Sequence, residues 1–165
     1  MPDPTLLTAE HLRSRLDYEP DTGIFTWRVK PSKNRHAGAV AGSFTDQGYI
    51  KIGIDKRDWR AHRLAWLWVT GEHPATEIDH INGIRYDNRF CNLRPGEHRL
   101  NLQNLRSAKT GNKSGFLGVT KKGARFMAAI KVDGRVHYLG TFDVAEVAHA
   151  AYVAAKRELH PYGTL

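Results

Sequence analysis

Cysteine is almost missing from this chain of 165 residues. The single one, Cys91, excludes an internal disulfide and any cysteine-rich zinc site, so a reduced, cytoplasmic setting is the simplest expectation. Long apolar runs are missing too. The strongly apolar stretch around Leu64–Val69 falls far short of the ~20 residues that span a bilayer, and no membrane partner is expected. The opening residues, MPDPTLLTAE, are acidic and carry proline, unlike a signal or transit peptide. Acidic side chains are scarce relative to basic ones: 17 Asp and Glu face 25 Lys and Arg, a net charge of +8. That excess favours a polyanionic partner, and with a membrane disfavoured the expectation is nucleic acid. At 41% hydrophobic the chain can bury a core, as one domain or two small ones.

Along the chain, Thr8 has the place of an N-cap and Leu7 and Leu12 that of a hydrophobic staple, so a short helix is predicted over 9–17. Residues 23–28 read as a strand, the basic, glycine-bearing segment 30–42 as a loop, and 48–54, with its period of two, as a second strand. Asp55 to Asp58 turns the chain, and 60–70 reads as a largely buried helix with Trp66 and Trp68. Further on, Leu117–Thr120, Arg125–Val132 and Arg135–Phe142 read as three strands, with Asp133-Gly134 as a two-residue hairpin turn between the last two. Asp143 and Glu146 form a capping-box pattern. Val144, Val147, Ala148, Ala151, Tyr152, Ala155 and Leu159 then recur at helical spacing. There is no internal repeat.

Between these halves lies IDHINGIRYDNRFCNLRPGEHRLNLQN, Ile78 to Asn104. Asp79-His80 reads as part of a short strand, Asn82-Gly83 as a turn, Asn92-Leu93-Arg94 as a second strand, and Glu97–Arg106 as helix-compatible. The order is strand, loop, strand, helix. His62-Arg63-Leu64-Ala65, Asp79-His80-Ile81-Asn82-Gly83 and Asn88-Arg89-Phe90-Cys91-Asn92-Leu93-Arg94, followed by Glu97 and Asn101, resemble the phage and homing-type branch of the HNH endonuclease family. Its site is the ββα-metal finger.

The resemblance implies metal-dependent hydrolysis of phosphodiester bonds. By the family pattern Asp79 supplies a carboxylate oxygen and Asn101 an amide oxygen to one divalent ion per site. Asparagine where many relatives carry histidine tilts that ion toward Mg²⁺ or Mn²⁺, which accept oxygen ligands and keep several waters. No CxxC pair accompanies the motif, so a structural zinc is not expected. His80 is implied as the general base, a role an imidazole near pKa ~6.5 can fill at neutral pH. Asn92 is implied to orient the loop that bears His80. On a regular strand Asp79 and His80 face opposite ways, so either the strand bends or the two act from different sides of the phosphate. His62 is a candidate near the site, and Arg85, Arg89 and Arg94 are candidate phosphate contacts on DNA. Asn82, Asn88 and Asn104 read as turn and cap residues.

Residues 114–162 resemble the AP2 DNA-binding domain: G-V, A-x-I, Y-L-G-T-F and A-x-x-A-Y-x-x-A fall in register at Gly118, Ala128, Tyr138 and Ala148. That resemblance implies a three-stranded sheet packed on one helix, with the sheet in the DNA major groove. Alternation places Phe126, Ala128, Ile130 and Val132 toward the helix and Arg125, Met127, Ala129 and Lys131 outward with Tyr138. Lys121, Lys122, Arg125 and Lys131 form an expected basic patch. Leu117, Thr120 and Val136 stand where plant transcription-factor members carry arginine, so their base preference does not transfer.

The expectation is therefore an α+β DNA endonuclease. A segment 1–58 of open role precedes an HNH module at 59–106, a basic linker at 107–113 and an AP2-like domain at 114–165. It would act on double-stranded DNA as a monomer or a DNA-assembled dimer, in the cytoplasm of a bacterial or phage-infected cell. The alternative is a non-catalytic DNA-binding regulator that uses the AP2-like unit alone.

Overall fold

A computed structural model describes residues 7–33, 35–96, 102–105 and 107–160. The architecture is α+β, and the chain divides into two compact units, Met1–Glu97 and His98–Leu165.

In the first unit Thr8 caps helix α1 (Ala9–Arg15), its Oγ1 accepting from the His11 N–H at 3.1 Å. The helix stops short of the predicted residue 17. Leu16 and Tyr18 alternate in burial with Asp17 and Glu19, a period of two that suits a strand. Strand β1 (Leu16–Glu19) accordingly pairs antiparallel with β2 (Ile24–Trp27). Strands β3 (Ser43–Phe44), β4 (Ile50–Ile54) and β5 (Arg57–Arg60) form an antiparallel meander. Strand β5 carries no sequence signal of its own, because the β4–β5 turn uses Asp55 and Lys56, both at positive φ, without the glycine that usually announces a tight hairpin. Helix α2 (Ala61–Thr70) follows directly and ends on Gly71, whose φ of 82° provides a left-handed C-cap. Strands β6 (Glu77–His80) and β7 (Leu93–Gly96) close a two-stranded ribbon, with Asp79 opposite Arg94 and His80 opposite Leu93. Leu12 and Leu16 meet Ile52, Leu64 and Leu67 in one core cluster, each side chain stabilising the fold by roughly 1.5–3 kcal/mol.

The second unit holds a 3₁₀ turn at Leu102–Asn104 and a three-stranded antiparallel sheet in the order β10–β9–β8. Its strands are β8 (Val119–Lys122), β9 (Arg125–Val132) and β10 (Arg135–Phe142). Asp133 and Gly134 make the β9–β10 turn, both at positive φ as Asp-Gly predicts. Helix α3 (Ala145–Leu159) packs on this sheet, and Ala128 and Ala148, both fully buried, allow the close approach. The capping box does not form: Val144 is the N-cap without a side-chain bond, and the Asp143 carboxylate instead accepts from Arg125 Nε at 2.8 Å. The buried stripe of α3 runs through Ala145, Ala148, Tyr152 and Lys156, which leaves Val144, Val147 and Leu159 exposed. Lys156 is buried and donates to the Leu105 carbonyl. Asn112, within the stretch read as linker, takes Ser114 N–H on its Oδ1 and donates to the Phe116 and Val119 carbonyls, so it belongs to the packing of this unit. Of the helix expected over 97–106, most lies outside the described residues. No helix among the described residues is long and apolar enough to cross a membrane.

Candidate active site

The β6–β7 ribbon keeps regular pairing through Asp79 and His80, so the strand does not bend and the two side chains leave opposite faces. Asp79 faces its cross-strand neighbour: Arg94 donates to Asp79 Oδ2 from Nη2 at 2.9 Å and from Nε at 3.2 Å. Both side chains are largely shielded, so the pair holds the carboxylate oriented.

His80 turns inward and is only 4% exposed. Its Nε2 lies 3.2 Å from Asn88 Oδ1. Asn88 donates its Nδ2 to the Tyr86 carbonyl at 3.2 Å, which sets the amide with its oxygen toward the imidazole. An amide oxygen only accepts, so His80 Nε2 carries the proton and the ring's lone pair sits on Nδ1. Burial pushes the His80 pKa down against the opposing effect of the Asn88 bond. The imidazole is thus neutral at neutral pH, the form that can accept a proton.

The loop that carries Asn88 is braced by Asn92. Asn92 Oδ1 accepts from the Asn82 N–H at 2.9 Å, and its Nδ2 donates to Asn82 Oδ1 at 3.0 Å and to the Asp87 carbonyl at 2.8 Å. Asn82 in turn donates to Asp87 Oδ2 at 2.6 Å. Arg89 forks onto both oxygens of Asp87 and is the main reason that the Asp87 pKa falls to about 2. The N-terminal hairpin supports the same loop from outside. Tyr18 donates its hydroxyl proton to the Asn88 carbonyl at 2.7 Å, Phe90 N–H reaches the Pro20 carbonyl at 3.3 Å, and a Cβ on Gly23 would stand 2.4 Å from the Arg89 nitrogen.

His62, at the start of α2, stands edge-on to His80 with ring centroids 5.1 Å apart. It is 8% exposed, its Nδ1 is buried without a hydrogen-bond partner among the described residues, and burial pushes its pKa down to about 3. Tyr49 completes the cluster at 5.4 Å from His62 and 6.0 Å from His80.

The HNH endonuclease family model matches residues 60–103. The match runs from the start of α2 through the β6–β7 ribbon, and it supports nuclease activity on nucleic acid for this segment. No curated protein matches the chain, and no solved structure does. HNH nucleases generally use a divalent metal. The donor chemistry fits such an ion: Asp79 offers an oriented carboxylate, and a hard cation accepts few protein oxygens and keeps its waters. Among the described residues no group of three or more His, Cys, Asp or Glu could hold a metal, and Asn101 lies outside them.

Of the sequence-nominated residues, the HNH segment brings His80, Asp79, Asn92 and His62 into one neighbourhood, whereas Arg89 and Arg94 are already engaged with carboxylates. Asn88, read as a turn residue, is a buried partner of His80. Its place in N-R-x-x-N was the available signal. Tyr49 has no such signal, and only the fold brings it to the two histidines. In the second unit the cross-strand register puts Lys122 beside Arg125, Thr120 beside Met127, Val136 beside Lys131 and Tyr138 beside Ala129 on the sheet face away from α3. Lys121 pairs with Phe126 and so lies on the other face, its Nζ 6.0 Å from that ring.

Proposed function

We propose that the protein is a metal-dependent DNA endonuclease in which His80 is the general base. The observation that carries this reading is the buried contact of His80, on β6, with Asn88 of the following loop, one residue from the oriented carboxylate of Asp79 and inside the HNH-matched segment. Held neutral with its proton on Nε2, His80 takes a proton from water through Nδ1. Asn88 keeps that tautomer, and Asn92 keeps the loop bearing Asn88 in place. Asp79, with Asn101 by the family pattern, would hold one Mg²⁺ or Mn²⁺. Such an ion, when bound, neutralises phosphate charge and stabilises the departing O3′. Phosphodiester cleavage then requires little more from the protein than positioning and proton removal.

The second unit is AP2-like in this proposal: three strands on one helix, with Lys122, Arg125, Lys131 and Tyr138 presented to double-stranded DNA on one sheet face and Lys121 at its edge. One catalytic centre per chain implies nicking by a monomer or double-strand cleavage by a pair assembled on DNA.

Plasmid nicking with and without EDTA tests the reading, alongside H80Q and D79A. Glutamine preserves a donor toward Asn88 but supplies no base, so nicking falls by about 10²- to 10⁴-fold while DNA affinity is retained. EDTA abolishes nicking. Nicking of equal rate by wild type, H80Q and EDTA-treated protein overturns the assignment, and preferential cleavage of a matched RNA moves the substrate class.

A further inference from the structure

Arg85, a candidate phosphate contact from the sequence, and Arg60, which carries no assignment, both stand over Tyr49. Arg60, the last residue of β5, places its guanidinium carbon 5.0 Å from the centre of that ring, and Arg85, in the β6–β7 loop, places its own 5.2 Å away. The ring is the same one that lies 6.0 Å from His80. We infer that Arg60 and Arg85, gathered on Tyr49, form a binding site for a backbone phosphate of the nucleic acid beside His80; the identity of the reacting neighbour rests on the nuclease reading, the anion site on its own geometry.

Several cations of this unit meet carboxylates: Arg89 meets Asp87, Arg94 meets Asp79, Lys51 meets Asp58 and Arg28 meets Asp17. Among the described residues neither Arg60 nor Arg85 meets a carboxylate. Their partners are neutral oxygens that aim the guanidinium without cancelling it. Arg60 donates to Thr45 Oγ1 at 3.1 Å and to Gln47 Oε1 at 3.3 Å, and Arg85 donates to the Gln47 carbonyl at 2.8 Å. A guanidinium has five N–H donors, so each retains several for a ligand. Both charges lie well inside one Debye length (~8 Å at physiological salt) of the same ring. Each guanidinium lies about 5 Å from the same ring, and the face of a tyrosine offers only a weak counterweight to its charge.

Arg60 also stands at the N-cap of α2. The same end of α2 has no acidic residue in its first turn, so the positive pole of the helix adds to the field. A phosphodiester suits this arrangement because its two unbridged oxygens match the planar fork of arginine. Arg89 and Arg94 are poorer candidates for the same duty, because releasing either one strands a shielded carboxylate.

The test is DNA binding by the full chain in EDTA, read by fluorescence anisotropy across a salt series. R60Q/R85Q keeps side-chain length and polarity but removes both charges. For every phosphate that is no longer neutralised, the slope of log Kobs against log[salt] becomes shallower by about 0.9. The double variant is expected to flatten by about 0.9 for one phosphate or about 1.8 for two, and K56Q, in the exposed β4–β5 turn, to change almost nothing. Should the double variant not fold, judged by its melting transition, R85Q alone carries the test, since Arg85 is exposed and makes a single hydrogen bond. An unchanged slope in a folded variant overturns the site. Because binding is measured without cleavage, a shallower slope in a protein that never nicks DNA sinks the nuclease reading alone, and an unchanged slope in an active nuclease sinks the phosphate site alone.

Discussion

Replacing Asn92 with alanine isolates the brace on the loop behind His80. Asn92 is 6% exposed and makes three side-chain hydrogen bonds, one accepted from Asn82 and two donated, to Asn82 and Asp87. Each is worth about 1 kcal/mol net, and a buried group left unpaired adds its own desolvation penalty, so the loss is about 2–4 kcal/mol. The backbone bond from Ile81 N–H to the Asn92 carbonyl, 2.8 Å, survives the change, so the ribbon itself should persist. The assay is urea unfolding followed by tryptophan fluorescence. All four tryptophans, Trp27, Trp59, Trp66 and Trp68, lie in the first unit, so the signal reports this unit alone. Nicking measured on the same protein should show kcat falling, because the displaced loop carries Asn88, the partner that orients the proposed base His80. N92D keeps an acceptor for Asn82 but deletes both donors next to the Asp87 carboxylate, and it should be no better than alanine. A loss below about 1 kcal/mol together with unaltered nicking would refute the idea that these bonds hold the loop.

Acid should weaken the first unit through His62. Its folded pKa of about 3 lies below the unfolded value of ~6.5, so between these pH values the unfolded chain binds a proton that the folded chain refuses. Stability is present above pH ~6.5 and is lost as pH falls toward 3, by about 1.4 kcal/mol per pH unit. H62F should flatten that part of the urea-midpoint profile, and an unchanged slope would count against the buried neutral imidazole. In the second unit, G118A places a Cβ 2.0 Å from the Tyr152 ring at a φ of +76°. Left-handed strain and overpacking together should cost about 2–5 kcal/mol. Circular dichroism should show α3 melting earlier, while tryptophan-detected unfolding of the first unit stays where it was.

Local chemistry made much of this legible. Asp133-Gly134 announced its turn because both residues tolerate positive φ, and Thr8 announced α1 because a hydroxyl can take the orphan N–H of His11. What local chemistry could not show is competition between partners. Asp143 and Glu146 satisfy the pattern of a capping box, but Arg125 lies across the sheet and takes the Asp143 carboxylate. Arg89 and Arg94 look like phosphate contacts in one dimension and are committed to Asp87 and Asp79 in three. Arg85 looks the same in one dimension and meets no carboxylate among the described residues; Arg60 carries no motif, and the two meet only because β5 and the β6–β7 loop converge on Tyr49. The charge of a residue was readable from the sequence; whether that charge was already answered was not.

The N-terminal hairpin sets the limits of portability. The family match begins at residue 60, but the loop that positions His80 leans on Tyr18, Pro20 and Gly23 through the contacts at Asn88, Arg89 and Phe90. A fragment cut at the motif's border would carry every chemical group and lose the wall against which they are set. In any graft or fusion, the smallest inheritable cutting unit therefore starts ahead of residue 16, and residues far from the motif in sequence travel with it as scaffolding that cannot be exchanged independently.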